Sequence, residues 1–255
     1  MKLLSSVVKT LRVLETFSAE RQELSTIELS RFLGMDKSSV SRIVVTLQHH
    51  GYLNKNALNG KYRLGAKFID LGNQVLNRYD DLDIGEIAAP FLRRLSDTVK
   101  EVVHLGILDN QDVVTLKKMN GGQIVTVDTK VGGRYPAYAC ALGKVLLAGL
   151  SDEKRRQVLG SKPLVPRTPN TIVELACLLE EIDSVGKLGY AFEYEESFLG
   201  ICCVAAPIKS SSGDVLAALS VTIPKQRSDE RRMLEIRRHA TDIGGRISRQ
   251  IYGEI

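Results

Sequence analysis

No stretch of this chain stays apolar for the ~20 residues a membrane span requires, because charges or glycines break every candidate. A secretory leader is not expected either, and the four cysteines, Cys140, Cys177, Cys202 and Cys203, lack C-x-x-C spacing. These absences fit a soluble protein with reduced thiols in the cytoplasm. Catalytic signatures are missing too. There is no G-x-S-x-G, H-E-x-x-H or Walker-type loop, and of the four histidines two stand together at His49 and His50. A nucleophile drawn from Cys140, Cys202 or Cys203 with His104 would need a held base and an oxyanion site, which the sequence does not supply. The same cysteines with His104 also miss the spacing of a standard zinc site. The expectation is a protein that is not an enzyme, with no catalytic residues, no metal and no cofactor.

What is present is an ordinary globular composition, 44% apolar and 25% charged, over 255 residues, which leaves length for two domains. Charge is distributed unevenly. Residues 1–65 hold ten Lys and Arg against five acids, which accounts for the whole net charge of +5, while the remaining 190 residues balance. A polyanion partner is therefore expected at the N-terminal end only.

From Leu3 to Phe17, apolar residues recur at helical spacing and predict one amphipathic helix. Ser25-Thr26-Ile27-Glu28 has the form of a capping box, and it opens a short helix that Gly34 closes. Asp36 can cap a third helix, Lys37 to His50, with Val40, Ile43, Val44 and Leu47 on its buried stripe and Lys37, Ser38, Ser41, Arg42 and Gln48 opposite. Two helices joined by a tight glycine turn, the second with a polar and basic leading end, have the sequence form of a helix-turn-helix. Beyond it, Tyr52-Leu53 and Tyr62-Arg63-Leu64 flank Asn59-Gly60, a strong hairpin dipeptide. Such a ribbon, carrying Lys55, Lys61 and Arg63, reads as a wing that reaches the nucleic acid backbone beside the groove.

After Gly65 a connecting helix is expected with Phe68, Ile69, Leu71, Val75 and Leu76 apolar, then another from Leu82 toward Val99. Val102–Leu108, Asp112–Leu116 and Ile124–Val127 read as strands. Helices are expected at Ala141–Leu150, Ser151–Leu159 and Ile172–Leu188. A second strand set follows at Ala191–Glu195, Val204–Lys209 and Val215–Thr222. A last helix from Ser228 repeats Met233, Ile236, Ala240, Ile243, Ile247 and Ile251 on one face. The fold class is thus α/β with two domains, of the α+β type, its larger domain an antiparallel sheet flanked by helices.

The run from Ser25 to Arg42, then Gly51-Tyr52-Leu53 and Tyr62-Arg63-Leu64-Gly65, resembles the winged helix-turn-helix of the IclR family of bacterial regulators. Ala141-Leu142-Gly143-Lys144-Val145-Leu146-Leu147-Ala148 is similar to that family's helix beside the effector pocket. Gly189-Tyr190-Ala191 through Glu195-Glu196 to Cys203-Val204-Ala205-Ala206-Pro207 is similar to its C-terminal signature. The resemblance implies a DNA-binding domain over 1–66, a linker helix over 67–80 and a GAF-like effector domain over 81–255. It implies a homodimer, and a possible dimer of dimers, on a near-palindromic double-stranded operator. Thr26 and Ser39 join Lys37, Ser38, Ser41, Arg42, Lys55, Lys61 and Arg63 as expected DNA contacts. The effector contacts carried over are Ala141 and Leu142, through backbone N–H groups, with Glu193, Cys203, Ser220 and Thr222. Two departures stand out: Glu193 occupies a position where the family usually has aspartate, and Lys209-Ser210 replace an aromatic residue followed by Asp or Asn. A carboxylate at Glu193 favours an effector with hydroxyl groups, such as a sugar acid, over a simple keto acid.

Overall fold

The computed structural model describes residues 3–18, 20–76, 84–123 and 129–252. The chain divides into two units, Met1–Arg78 and Tyr79–Ile255.

The first unit contains α1 (Ser5–Glu15), α2 (Thr26–Leu33), α3 (Lys37–His49), the hairpin strands β1 (Leu53–Lys55) and β2 (Tyr62–Leu64), and α4 (Lys67–Leu76). Its helix starts follow from their caps. The Ser25 hydroxyl accepts from Glu28 N at 3.2 Å while a Glu28 carboxylate oxygen accepts from Ser25 N at 2.7 Å, so two N–H groups with no helical partner are satisfied reciprocally. Gly34 adopts φ +62°, the left-handed conformation that ends α2 without steric cost. Asp36 accepts from Ser39 N at 2.8 Å and starts α3. The buried stripe Val40, Val44 and Leu47 then meets Leu29, Leu53 and Tyr62, with Ile43 half-buried beside them. Leu24 and Tyr62 exchange backbone hydrogen bonds of 2.9 and 2.8 Å, which adds a bridge to the hairpin edge. α1 forms where the apolar periodicity placed a helix. Val13 is its one buried residue, and Leu4, Val7, Val8 and Leu11 along it are exposed.

The second unit is built on six strands, all paired antiparallel, in the order β5-β4-β3-β8-β7-β6: β3 (Val102–Asp109), β4 (Asp112–Met119), β5 (Arg134–Pro136), β6 (Ala191–Tyr194), β7 (Ile201–Lys209) and β8 (Val215–Pro224). Alternation along each strand divides the core into two layers. Val103, Leu105, Val204, Leu219 and Val221 face α5 (Ile84–Val99) and the long α9 (Glu230–Tyr252), which buries the six expected apolar residues from Met233 to Ile251. On the opposite face, Val113, Ala205 and Ala218 meet α6 (Ala141–Ala148), with α7 (Asp152–Gly160) and α8 (Leu175–Leu188) behind it. Gly143 permits this close layer. A Cβ there would lie 2.0 Å from the carbonyl oxygen of Ala137, so the first turn of α6 rests directly on the backbone of the short 3-10 turn before it.

The strand expected at Ile124–Val127 lies outside the described residues. β5 was not anticipated, since three residues including a proline carry too little periodicity to register as a strand. β6 stops at Tyr194 because Glu195 takes φ +58° and turns the chain.

Candidate DNA-binding surface and effector cavity

α3 presents Lys37, Ser38 and Arg42 to solvent, with Ser39 and Ser41 half-buried at its leading end and Thr26 half-buried at the start of α2. This is the amphipathic arrangement that major-groove reading requires: an aliphatic side fixed in the core and a polar, cationic side free. Ser38 also belongs to the cap, donating to Asp36 at 2.6 Å. The Ser38 and Ser39 hydrogen bonds hold the Asp36 carboxyl well below the usual carboxylate range, so the helix start stays charged and capped at any physiological pH.

The wing cations differ among themselves. The Lys55 ammonium lies over the Tyr62 ring, 5.6 Å from its centroid. Arg63 is exposed. Lys61 is engaged internally, its Nζ 3.0 Å from Glu28 Oε1, so the charge expected to face a phosphate faces the capping carboxylate of α2.

In the second unit, a cavity of about 280 Å³ opens on the α6 face of the sheet. Five of the six residues expected at the effector site line it: Ala141, Leu142, Cys203, Ser220 and Thr222. Strand register explains their convergence. Cys203 pairs with Thr222 across β7 and β8, and Ser220 pairs with His104 across β8 and β3. A polar row therefore crosses three adjacent strands and reaches Thr115 on the next, β4. At the rim of this floor, α6 begins at Cys140 with no side-chain cap, which leaves its first-turn N–H groups for another acceptor.

Glu193, the sixth expected residue, is not among the lining residues. It is fully buried, and its Oε1 accepts from Glu196 N at 2.5 Å and Ser197 N at 3.1 Å. Its side chain thus ties down the turn after β6. Burial raises its pKa, against the hydrogen bonds it takes from the Cys203 thiol and from the Ser197 and Glu196 amides. Nearby, Lys144 reaches Glu196 at 2.6 Å in an ion pair that is almost wholly inside the protein, and also the more exposed Glu181 at 3.3 Å. Burial also raises the pKa of Glu196.

Sequence reasoning missed His104, Thr115, Thr129, Tyr135 and Phe198 as cavity residues. His104 had a signal, as a lone histidine in a strand of apolar residues whose alternation puts it on the same face as Val102 and Gly106. Its Nε2 is 2.5 Å from the Thr129 hydroxyl and its Nδ1 is 3.3 Å from that of Thr222. Burial, helped by Lys118, lowers its pKa to about 4, so the ring is neutral at physiological pH. With both ring nitrogens facing hydroxyls, His104 is not placed as a base for a thiol. Burial pushes the Cys140 thiol up to about 12 and that of Cys203 well above its ordinary value, which is the reverse of nucleophile activation. Cys202 points to the other face of the sheet from Cys203, and among the described residues no three His, Cys, Asp or Glu side chains are grouped so as to hold a metal ion. Among the described residues, no helix is long and apolar enough to cross a membrane.

Comparisons with known proteins agree on both units. Residues 6–57 match the family profile described as the IclR helix-turn-helix domain, and residues 77–249 match that of the bacterial transcriptional regulator IclR C-terminal. The chain is 32% identical over 251 residues to the HTH-type transcriptional regulator XynR of Escherichia coli, covering 98% of each. It is 34% identical over 231 residues to KdgR of the same species, covering 91% of this chain and 86% of that one. Among solved structures, an IclR homolog from Microbacterium hydrocarbonoxydans complexed with 4-hydroxybenzoate superposes with a TM-score of 0.79 at 28% identity, covering 98% of this chain and all of the other. The IclR of Thermotoga maritima gives 0.79 at 27% identity, covering 96% and 98%. A capped reading helix with a cationic free face, a wing, and a separate sheet domain enclosing a small-molecule cavity therefore sit in a chain that belongs to the IclR family of DNA-binding transcription regulators.

Proposed function

We propose that this regulator answers to a small monoanionic metabolite bearing hydroxyl groups, of the sugar-acid type, and that the metabolite binds in the cavity of the second unit. The observation that carries the reading is the lining itself. Among the described residues, none of the fourteen that line it is Asp, Glu, Lys or Arg, yet Thr115, Thr129, Ser197, Ser220 and Thr222 contribute hydroxyls and His104 a neutral ring. An anionic group has one suitable place, the uncapped start of α6 at Ala141 and Leu142, where backbone N–H groups and the helix dipole favour negative charge. Hydroxyl groups elsewhere on the ligand satisfy the polar floor, while Val113, Ile201 and Phe198 supply apolar wall. The reason for preferring a hydroxylated ligand is thus the row of Ser and Thr, in place of the Glu193 carboxylate. The relative complexed with 4-hydroxybenzoate, itself a hydroxylated acid, supports an organic acid here. Calorimetry against gluconate-type acids and against pyruvate and glyoxylate tests the reading. Tight binding of the keto acids with no response to sugar acids refutes it.

In the first unit, Lys37, Ser39, Ser41 and Arg42 read the major groove, and Thr26, Lys55 and Arg63 contact phosphates, with Ser38 dividing its hydroxyl between cap and groove. Two copies pair through the exposed apolar row Leu4, Val7, Val8 and Leu11 of α1, since a contiguous apolar strip of this kind marks an association surface. The dimer sets two reading helices on half-sites ~34–36 Å apart, or at a multiple of that spacing, on a near-palindromic operator. Effector binding shifts operator affinity by a coupling of ~1–3 kcal/mol. Sedimentation of a Val7→Glu, Leu11→Glu variant checks the pairing: the wild-type dimer should become monomeric.

A further inference from the structure

The wing is held to the reading helices by more than a hairpin turn. Glu23 lies just before the capping box, and its carboxylate accepts from Asn56 Nδ2 at 3.1 Å and from Asn59 Nδ2 at 2.8 Å, the two amides that shape the wing tip. Both asparagines are themselves committed. Asn56 Oδ1 accepts from Leu58 N and Asn59 Oδ1 accepts from Lys61 N, each at 2.9 Å. Next along the chain, Leu24 exchanges two backbone hydrogen bonds with Tyr62. Four residues further, Glu28 closes the α2 capping box with one carboxylate oxygen and meets Lys61 at 3.0 Å with the other. Three successive attachments, side chain, backbone, then side chain, run from the wing tip to the start of α2. Glu28 has a second consequence. It puts a negative charge in the first turn of α2, beside Thr26, where a DNA phosphate would come. Hydrogen bonds from Ser25 and Lys61 lower its pKa to about 2, so that charge is permanent at physiological pH. Lys61 neutralises it in place.

We propose that Glu23 and Glu28 are positioning residues for DNA recognition, clamping the wing to the N-terminal end of α2, and that Lys61 serves the Glu28 carboxylate in place of a DNA phosphate. The wing then meets the duplex as one rigid surface with α2 and α3. This rests on the reading of the first unit as a DNA binder, so the test separates the two.

The direct measurement is the salt dependence of binding to a random-sequence 30-base-pair duplex. Each cation seated at a phosphate contributes about 0.9 to the log–log slope. Arg63→Gln should lower the slope by about that amount. Lys61→Gln should weaken binding ~2–5-fold, the scale of an exposed ion pair, with the slope unchanged, and Lys61→Arg should restore affinity. A slope falling by about 0.9 in Lys61→Gln, as in Arg63→Gln, overturns the proposal. Hydrogen exchange of the free, full-length protein provides the second arm and needs no DNA. Glu23→Ala combined with Glu28→Gln, which keeps a side chain able to close the capping box, should speed exchange at Leu24 and Tyr62 about tenfold while α3 amides stay protected. Unchanged exchange at those two amides also overturns the clamp. Wild-type protein that fails to bind any duplex refutes the DNA reading alone and leaves the exchange result standing.

Discussion

The two units keep their polar groups in opposite ways. Among the described residues of the first unit, Thr16 is the one buried polar side chain, and every described charge stands at or near the surface. Among its described residues the second unit buries thirteen, of which His104, Thr115, Ser220 and Thr222 line its cavity, while Lys144, Glu193 and Glu196 are among the rest. A surface that grips a polyanion needs charges in water and only a small aliphatic core behind them. A sensor that holds a small ligand needs polar groups inside, where each must be partnered or suffer desolvation. The difference predicts where each unit is fragile: the first through its local caps, the second through its buried pairs.

The sharpest break of that contrast is Lys144→Ala. Removing the ammonium leaves Glu196 buried and uncompensated, and losing one partner of such a pair destabilises by ~3–5 kcal/mol. Denaturant unfolding followed by a reporter in the second unit should show the loss. Binding of the full-length variant to random DNA, measured under native conditions, should be untouched.

Next comes a pH effect of known sign. His104 has a folded pKa of about 4, below its unfolded value, so its contribution to stability is present above pH 6.5 and is lost as pH falls toward 4. The loss is ~3 kcal/mol over that interval. Glu193 and Glu196 run the other way. Burial raises both, so their contribution is present below the unfolded carboxyl range and is lost as pH rises through the folded value. His104→Gln should flatten the fall between pH 6.5 and 4, and Glu193→Gln should stabilise the protein most at neutral pH and least in acid. Thermal unfolding across pH checks both, and a wild-type curve indistinguishable from that of His104→Gln would show that the ring titrates as in water.

A smaller effect sharpens the contrast from the side of the first unit. Arg42→Ala should cost ~1–3 kcal/mol on the operator and relax its specificity, because a groove-reading cation discriminates between bases. Equal losses on operator and random DNA would demote Arg42 to a phosphate contact. Effector affinity, measured by calorimetry, should not change.

The same division explains what could be read from the residues. Ser25 with Glu28, Gly34 and Asp36 act within four residues of themselves, so their hydrogen bonds are implied by spacing alone, and the reading helix followed. The stripe Met233 to Ile251 was equally legible as periodicity. The cavity was reached only where a family likeness pointed, at Ala141, Leu142, Cys203, Ser220 and Thr222. Its remaining wall was not, because His104 and Thr115 are brought to it by strand order β4-β3-β8-β7 and Phe198 by the turn between β6 and β7, which no local pattern encodes. Glu193 shows the limit most clearly. Its position in the chain matched an effector contact, whereas in the fold its carboxylate accepts from the amides of its own turn and is not among the residues that line the cavity. Lys61 repeats the lesson in the wing, where a cation that reads as a phosphate ligand has a carboxylate of α2 in reach.

The smallest predicted effect tests whether the first unit really depends on local devices. Ser25→Ala removes the hydroxyl that accepts from Glu28 N, and loss of such a cap costs ~1 kcal/mol. In a unit of this size that corresponds to a fall in melting temperature of ~4–8 °C, a visible shift from one oxygen atom. Ser184→Ala is the matched control, since its hydroxyl donates to Glu180 O within α8 and caps nothing. Hydrogen exchange should place the Ser25→Ala loss in α2 and the hairpin edge it leads into, with α9 unaffected. If α2 stays protected after the cap is gone, the helix is held by Leu29 and the core behind it, and the opposition between a locally determined unit and a packed one loses its ground.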